Sequence, residues 1–178
     1  DGERAALRRA PLLGEHSAEL RAELEAPAAP PSTPAPAMSD PAKPPPNPMQ
    51  GIRVLDLTQV WAGPYATRFL ADMGADVIHL EGPAFPDAVR GVGRSDEPRG
   101  YDRSAYFNEY NRGKRGLALD LQRPEGVEVV KQLLPSVDVV IENWSVGVAE
   151  RLGLGYEELR AERPGIVFVQ MPAFGQTG

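Results

Sequence analysis

Arg112, Lys114 and Arg115 fall within four positions of one another, in Asn111-Arg112-Gly113-Lys114-Arg115-Gly116. Two glycines make this a tight turn, and the alternating Leu117-Ala118-Leu119-Asp120-Leu121 that follows reads as a strand. Cations in a turn beside a sheet suit a ligand that carries phosphate, although a solvated turn has the same composition. A second constellation, Val60-Trp61-Ala62-Gly63-Pro64, follows an apolar run. Open α/β sheets bind ligands beyond the carboxyl ends of their strands, and the first turn of a helix offers unbonded amides. Glycine at position 63 would let a ligand approach the backbone; a plain strand-to-helix turn is the alternative. The third is Glu142-Asn143-Trp144-Ser145-Val146-Gly147. An aromatic ring for stacking and an amide for hydrogen bonding suit an adenine ring or a pantetheine arm. Asn143 could equally cap a short helix while Trp144 packs as core.

The elements that must position these residues follow from periodicity. Ile52–Leu57 and Asp76–Glu81 read as buried strands, with a helix opened by Gly63-Pro64 between them. On that helix Tyr65, Phe69, Leu70 and Met73 recur at helical spacing, and Gly74 is a C-terminal stop. Residues 82–102, rich in Gly, Pro, Arg and Asp, read as a long irregular loop of the kind that serves function. Leu117–Leu121 is a third strand, and Pro124–Leu134 a helix with Val127, Val130 and Leu134 on one face. Val137–Glu142 is a fourth strand, short helices follow at Val146–Leu152 and Tyr156–Glu162, and Ile166–Met171 is a fifth strand. Alternating strands and helices predict an α/β fold, a Rossmann-like doubly wound parallel sheet, incomplete within these residues. No G-x-G-x-x-G follows the first strand, so a dinucleotide cofactor lacks its main sequence support.

Composition narrows the function classes. The chain has 178 residues, a net charge of −6 and no cysteine. An acidic chain disfavours general nucleic-acid binding, and the absence of cysteine excludes disulfides, thiol nucleophiles and thiolate metal sites. With His16 and His79 as the only imidazoles, a multi-histidine metal centre is not expected. No apolar run approaches the roughly 20 residues that span a bilayer, and no signal-peptide core is present, so a cytoplasmic protein is expected.

The pieces GIRVLDLTQVWAGPYATRFLADMGADVIHLE, NRGKRGLALDL, DVVIENWSVGVAERLGLGYEELR and PGIVFVQMPAFGQTG stand here in the order of one known family. Residues 51–178 resemble the amino-terminal part of the class III CoA-transferases. The resemblance implies movement of CoA between an acyl-CoA and a free carboxylic acid, with no metal or redox cofactor. It implies an interlocked homodimer, and poor stability for residues 51–178 alone. It places CoA and substrate contacts at Trp61, Ala62, Asn143 and Trp144, with Arg151 near the phosphates of CoA. Bidentate recognition of phosphate explains that residue type; a helical ion pair with a neighbouring glutamate is the other reading. Lys114 joins the contact set through the cation-rich turn. Leu119 joins through its backbone, and the family's following lysine falls at Gln122, with Arg123 adjacent. Formyl-CoA transferases carry glutamine where Trp61 stands, so the tryptophan implies a different acyl pocket. The family's nucleophile is an aspartate that attacks the thioester and passes through an anhydride. By resemblance it lies a few tens of residues past Gly178, and no aspartate present here is assigned that role.

Residues 1–25 include RAPLLGEHSAELRAEL, similar to the carboxyl-terminal end of the same family. From the residues alone, Ser17 caps a short helix carrying Leu20 and Leu24. Ten prolines and six alanines in the twenty-three positions 26–48 mark a disordered linker, assigned to residues 26–50. The chain thus reads as the junction of two copies, or as two adjacent genes read through, with Met38 or Met49 the true start. Two rival functions share the resemblance. One is an α-methylacyl-CoA racemase or related CoA-ester isomerase; the other is a CoA-binding remnant without catalysis.

Overall fold

The computed structural model describes residues 8–26, 47–84, 86–93 and 100–177, and most of the expected linker lies outside them. The order of elements is α1 (Ser17–Glu25), β1 (Arg53–Asp56), α2 (Ala62–Asp72), β2 (Asp76–Glu81), α3 (Ala105–Asn111), β3 (Arg115–Ala118), α4 (Pro124–Leu133), β4 (Val139–Glu142), α5 (Val148–Arg151), α6 (Tyr156–Glu162) and β5 (Val167–Gln170). Five parallel strands pair in the order β3-β2-β1-β4-β5. The chain therefore winds outward from β1 in one direction and then from β4 in the other. Its reversal point is the crevice between the carboxyl ends of β1 and β4, where such sheets hold ligands.

Alternation along the strands divides the core in two. Leu55, Ile78, Leu80, Leu117 and Val140 face one side, where Val130 and Leu133 of α4, Leu159 of α6 and Leu20 of α1 cover them. Val54, Val77 and Ile141 face the other side, against Leu70 and Ala71 of α2. Helices on both faces make the sheet doubly wound, as the sequence predicts. Within the reading of residues 82–102 as an irregular loop, the described parts contain two 3-10 turns, at Ala88–Gly91 and Gly100–Arg103. Helix α3, capped by Ser104, was not legible from periodicity. The third strand begins at Arg115 rather than Leu117, because Gly116 and Leu117 already pair with His79 and Leu80.

Helix α2 forms where the spacing predicts it. Its aromatic stripe points outward: Tyr65, Phe69 and Met73 are exposed, and Leu70 alone of that set packs inward. The face against the sheet is Gly63, Pro64, Thr67 and Arg68. Polar residues are buried here because β1 and β2 end in Asp56, His79 and Glu81, which alternate onto this same side of the sheet.

Asp56 is fully buried and accepts hydrogen bonds from the Thr58 amide, the Thr58 and Thr67 hydroxyls and Lys114 Nζ, the last at 2.8 Å. His79 Nδ1 lies 3.1 Å from the same carboxylate. Lys114 Nζ donates also to the Pro64 carbonyl and to Asn111 Oδ1, so all three of its protons have acceptors. Glu81 takes a two-pronged bond from Arg90, at 2.8 and 2.7 Å, and Arg90 reaches on to Asp102. Burial pushes the Asp56 carboxyl up, but the charges of Lys114 and His79 outweigh it and hold the group well below the usual carboxylate range. Burial likewise raises Glu81, and Arg90 reverses that to leave it below its ordinary value. Burial lowers Lys114, opposed by Asp56.

Removing one partner of such a pair strands a charge away from water. Lys114→Met is expected to cost about 3–5 kcal/mol of stability, read as a fall in Tm. Asp56 and Glu81 hold their protons more weakly folded than unfolded. Their contribution is complete above about pH 5 and drains away as pH falls below about 4, so the Tm-against-pH curve must drop on the acid side. Asp87, raised by burial, runs the other way and blunts that drop.

Candidate functional site

The loop after β1 and the loop after β4 form the lips of the crevice. Asn143 clasps them together: its Oδ1 accepts from the Gln59 amide at 2.9 Å, and its Nδ2 donates to the Gln59 carbonyl at 2.8 Å. The amide side chain therefore serves as a loop tie rather than as a helix cap, and it keeps one N–H and one lone pair unassigned. A cleft of about 360 Å³ opens there, lined by Gln59, Val60, Asn143, Trp144, Ser145 and Val148. Trp144 is half-buried, packed against the core while lining the cleft. Its amide donates to Glu142, which also takes Gln170 of β5, so the second lip is tied to its strand.

The first lip is held from below and from the side. Asp56 fixes Thr58, and a Cβ at position 63 would stand 2.3 Å from the Thr58 Cβ. Only glycine lets α2 start that close to the loop. Val60 has φ of +73°, a conformation that β-branched residues avoid and that costs on the order of 1–3 kcal/mol. Both Asp87 oxygens accept from the Val60 amide at 3.1 Å. Asp87 is itself set by a bond from its own amide to Glu81, the strand-end carboxylate that Arg90 grips. Strain at Val60 thus traces to a chain of buried groups that ends in the sheet. Beyond Val60, Trp61 is 56% exposed and stacks on Tyr106, with ring centroids 6.0 Å apart.

Among the residues expected to meet a ligand, Asn143 and Trp144 line the cleft. Trp61 and Ala62 continue directly from Val60 at its rim, and Arg151 lies close by: a Cβ on Gly147 would come within 3.2 Å of its guanidinium. Arg151 is exposed, and no glutamate ion-pairs with it among the described residues. The β3 group stands apart. Leu119 is buried, Gln122 and Arg123 are exposed, and the strand that leads to them is separated from β1 by β2.

Lys114 requires a correction. It is not a solvent-facing cation but 3% exposed, with its ammonium under α2 on Asp56. Its turn-mates are paired as well, Arg112 with Asp72 and Glu109, Arg115 with Asp76, Glu19 and Glu23. The turn is basic in sequence and internally neutralised in space. Conversely, Asp87, Glu81, Arg90 and Gln59 were not singled out from sequence. The alternation Val77, His79, Glu81 was the available signal, since it puts two ionisable groups on a buried face.

The Asp87–Val60 clamp yields a direct expectation. Asp87→Ala should leave the far-ultraviolet circular dichroism intact. It should speed amide exchange at Val60 by about tenfold or more and shift the emission of neighbouring Trp61, because the strained φ loses its acceptor. Unchanged exchange at Val60 would mean that something else holds the loop.

Comparison with known proteins bears on the family and the fold. The family described as CoA-transferase family III matches residues 49–178. A succinyl-CoA–D-citramalate CoA-transferase of Chloroflexus aurantiacus is 42% identical over 134 residues, covering 75% of this chain and 33% of that protein. A succinyl-CoA:mesaconate CoA-transferase of Haloarcula hispanica is 44% identical, covering 71% and 32%. Of solved structures, Rv3272 from Mycobacterium tuberculosis aligns with a TM-score of 0.66 at 36% identity, covering 74% of this chain and 34% of that one. A CAIB/BAIF family protein from Brucella suis aligns with a TM-score of 0.63 at 38% identity, covering 70% and 33%. The chain spans about a third of the length of the curated relatives it matches. With the family matched over most of its residues, this chain belongs to CoA-transferase family III.

Proposed function

We propose that residues 51–178 form the CoA-holding part of an enzyme that moves CoA from an acyl-CoA to a free carboxylate. The observation that carries this reading is the crevice at the β1/β4 reversal point, where the Gln59–Asn143 clasp sets two lips around a 360 Å³ cleft. In this reading Trp144 offers a ring for stacking, and Asn143 its remaining N–H and lone pair. Trp61 and Ala62 flank the acyl end, and Arg151 meets phosphate. Leu119, Gln122 and Arg123 would touch the nucleotide only if it extends over the end of β2 toward β3. The chemistry runs without metal or redox cofactor. The thioester carbonyl is attacked by an aspartate outside residues 1–178, and CoA leaves as thiolate. That thiolate attacks the aspartyl carbonyl of the anhydride, releasing the donor acid and leaving an aspartyl-CoA thioester. The acceptor carboxylate attacks this thioester and expels the thiolate, which then attacks the acceptor's carbonyl in the second anhydride to give the new acyl-CoA and free the aspartate.

The relatives named above pair succinyl-CoA with dicarboxylic acids, which favours a dicarboxylate acceptor here. Trp61, in place of the glutamine of formyl-CoA transferases, fits an acid larger than formate. We further propose a cytoplasmic homodimer. The exposed stripe of Trp61, Tyr65, Phe69, Met73 and Tyr106 supports a covered face, since aromatic patches of this extent mark interfaces. Among the described residues, no helix is long and apolar enough to cross a membrane.

The test uses the full-length protein with succinyl-CoA and labelled dicarboxylates. Transfer of CoA to the labelled acid is expected, without deuterium uptake at the α-carbon of the acyl group. Deuterium uptake without acid exchange would instead identify a CoA-ester isomerase, and CoA binding without either a remnant. Arg151→Ala should raise KM for the acyl-CoA by about tenfold while changing kcat little, as loss of one charge-assisted phosphate contact predicts.

A further inference from the structure

Strand β3 is the edge of the sheet on its side, yet its outward backbone groups are bonded. Gly116 N–H donates to His16 Nδ1 at 3.0 Å, and the Gly116 carbonyl accepts from the His16 amide at 3.0 Å. Ala118 N–H donates to Ser17 Oγ at 3.1 Å. An imidazole and a hydroxyl thus do what a sixth strand would do, across a separation of about a hundred residues. Leu20 enters the core beneath at 1% exposure. Arg115 pairs with Glu19 and Glu23 on the helix above.

The two surfaces are shaped to each other. A Cβ on Gly116 would stand 2.9 Å from the Leu12 carbonyl oxygen and 3.0 Å from the Pro11 Cβ. Gly14, at φ +68°, passes so close that its own Cβ would stand 3.0 Å from that of Ala118. Between this segment and β1 the chain carries the proline- and alanine-rich stretch 26–48.

We propose that the β3 edge is a socket for Arg9–Glu25 as a separable module. The segment stays docked when its covalent connection is cut, and the socket accepts the same segment from a second copy of this chain. Edge donors need a partner wherever it comes from, and burial of Leu20 rewards either source equally. Covalent tethering favours self-docking at low concentration, and exchange with a second copy gains as concentration rises. The inference is independent of the CoA crevice, which lies on the far side of β2.

The experiment places a specific protease site in 32–36 of the full chain, cuts it, and weighs the product by native mass spectrometry. The two pieces are expected to remain as a one-to-one complex. Mixing with an isotopically heavy cut copy should give heavy–light hybrids. Separation of the pieces, with the larger one still melting cooperatively, overturns the proposal, as does a complex that forms no hybrids over days. Leu20→Asp should release the small piece. Since that variant could disturb folding, His16→Ala with Ser17→Ala provides a second reading. Exchange at the Gly116 and Ala118 amides should rise about tenfold, with the remaining core amides unchanged; no rise at those two amides overturns the proposal.

Discussion

The buried contact between Lys114 and Asp56 is the constraint on which the rest of the site depends. Asp56 ends β1, and its carboxylate is fully buried. Lys114 comes from the turn before β3, so one ion pair ties the two outer members of the β3-β2-β1 run together across β2. The same carboxylate holds Thr58 and Thr67, and the same ammonium holds the Pro64 carbonyl. A strand end, a loop and the first turn of a helix therefore share one electrostatic centre. Such a pair is expensive to bury and gives little net stability, but it specifies geometry, because any other arrangement leaves a charge unmet.

From that centre the site is built outward in layers. His79 and Glu81 extend the polar face along β2, and Arg90 and Asp87 carry it up to the loop. Asp87 holds Val60 in a backbone conformation that it would not adopt alone. Asn143 then fastens that loop to the end of β4. The cleft between them is a consequence of rigid neighbours rather than of its own lining, as a preorganised binding site requires. An exposed aromatic stripe on α2 and α3 lies next to it, so the ligand crevice and the uncovered face share Trp61 and Val60 at their boundary.

Much of this was legible in the sequence, and the failures are instructive. Strand-helix alternation predicts the parallel sheet, and Gly63-Pro64 locates the crevice lip. The helical spacing of Tyr65, Phe69, Leu70 and Met73 locates α2, but hydrophobic spacing marks a helix without telling which side meets the sheet. Tyr65, Phe69 and Met73 form a proper stripe that faces outward. Lys114 was misread because charge in a glycine-rich turn is ordinarily solvated. Only the register of β3 against β2 shows that the side chain points under α2. Val60 stood in a constellation singled out from sequence, but its conformation carried no signal, since left-handed backbone at valine has no compositional mark. Most of the proline-rich stretch falls outside the described residues. The short helix carrying Leu20 and Leu24 matches α1, but Ser17 is its first residue and not its cap: His16 stands at the N-cap without a side-chain capping bond, and Ser17 Oγ accepts from the Ala118 amide instead.

The most direct test of the account is amide exchange of this chain with and without CoA, read residue by residue. Protection confined to Gln59, Val60 and the 143–148 loop is the predicted result, with the Asp56–Lys114 centre already protected in both states. Protection at the β3 turn instead, or none at the crevice when CoA saturates the chain, would contradict it.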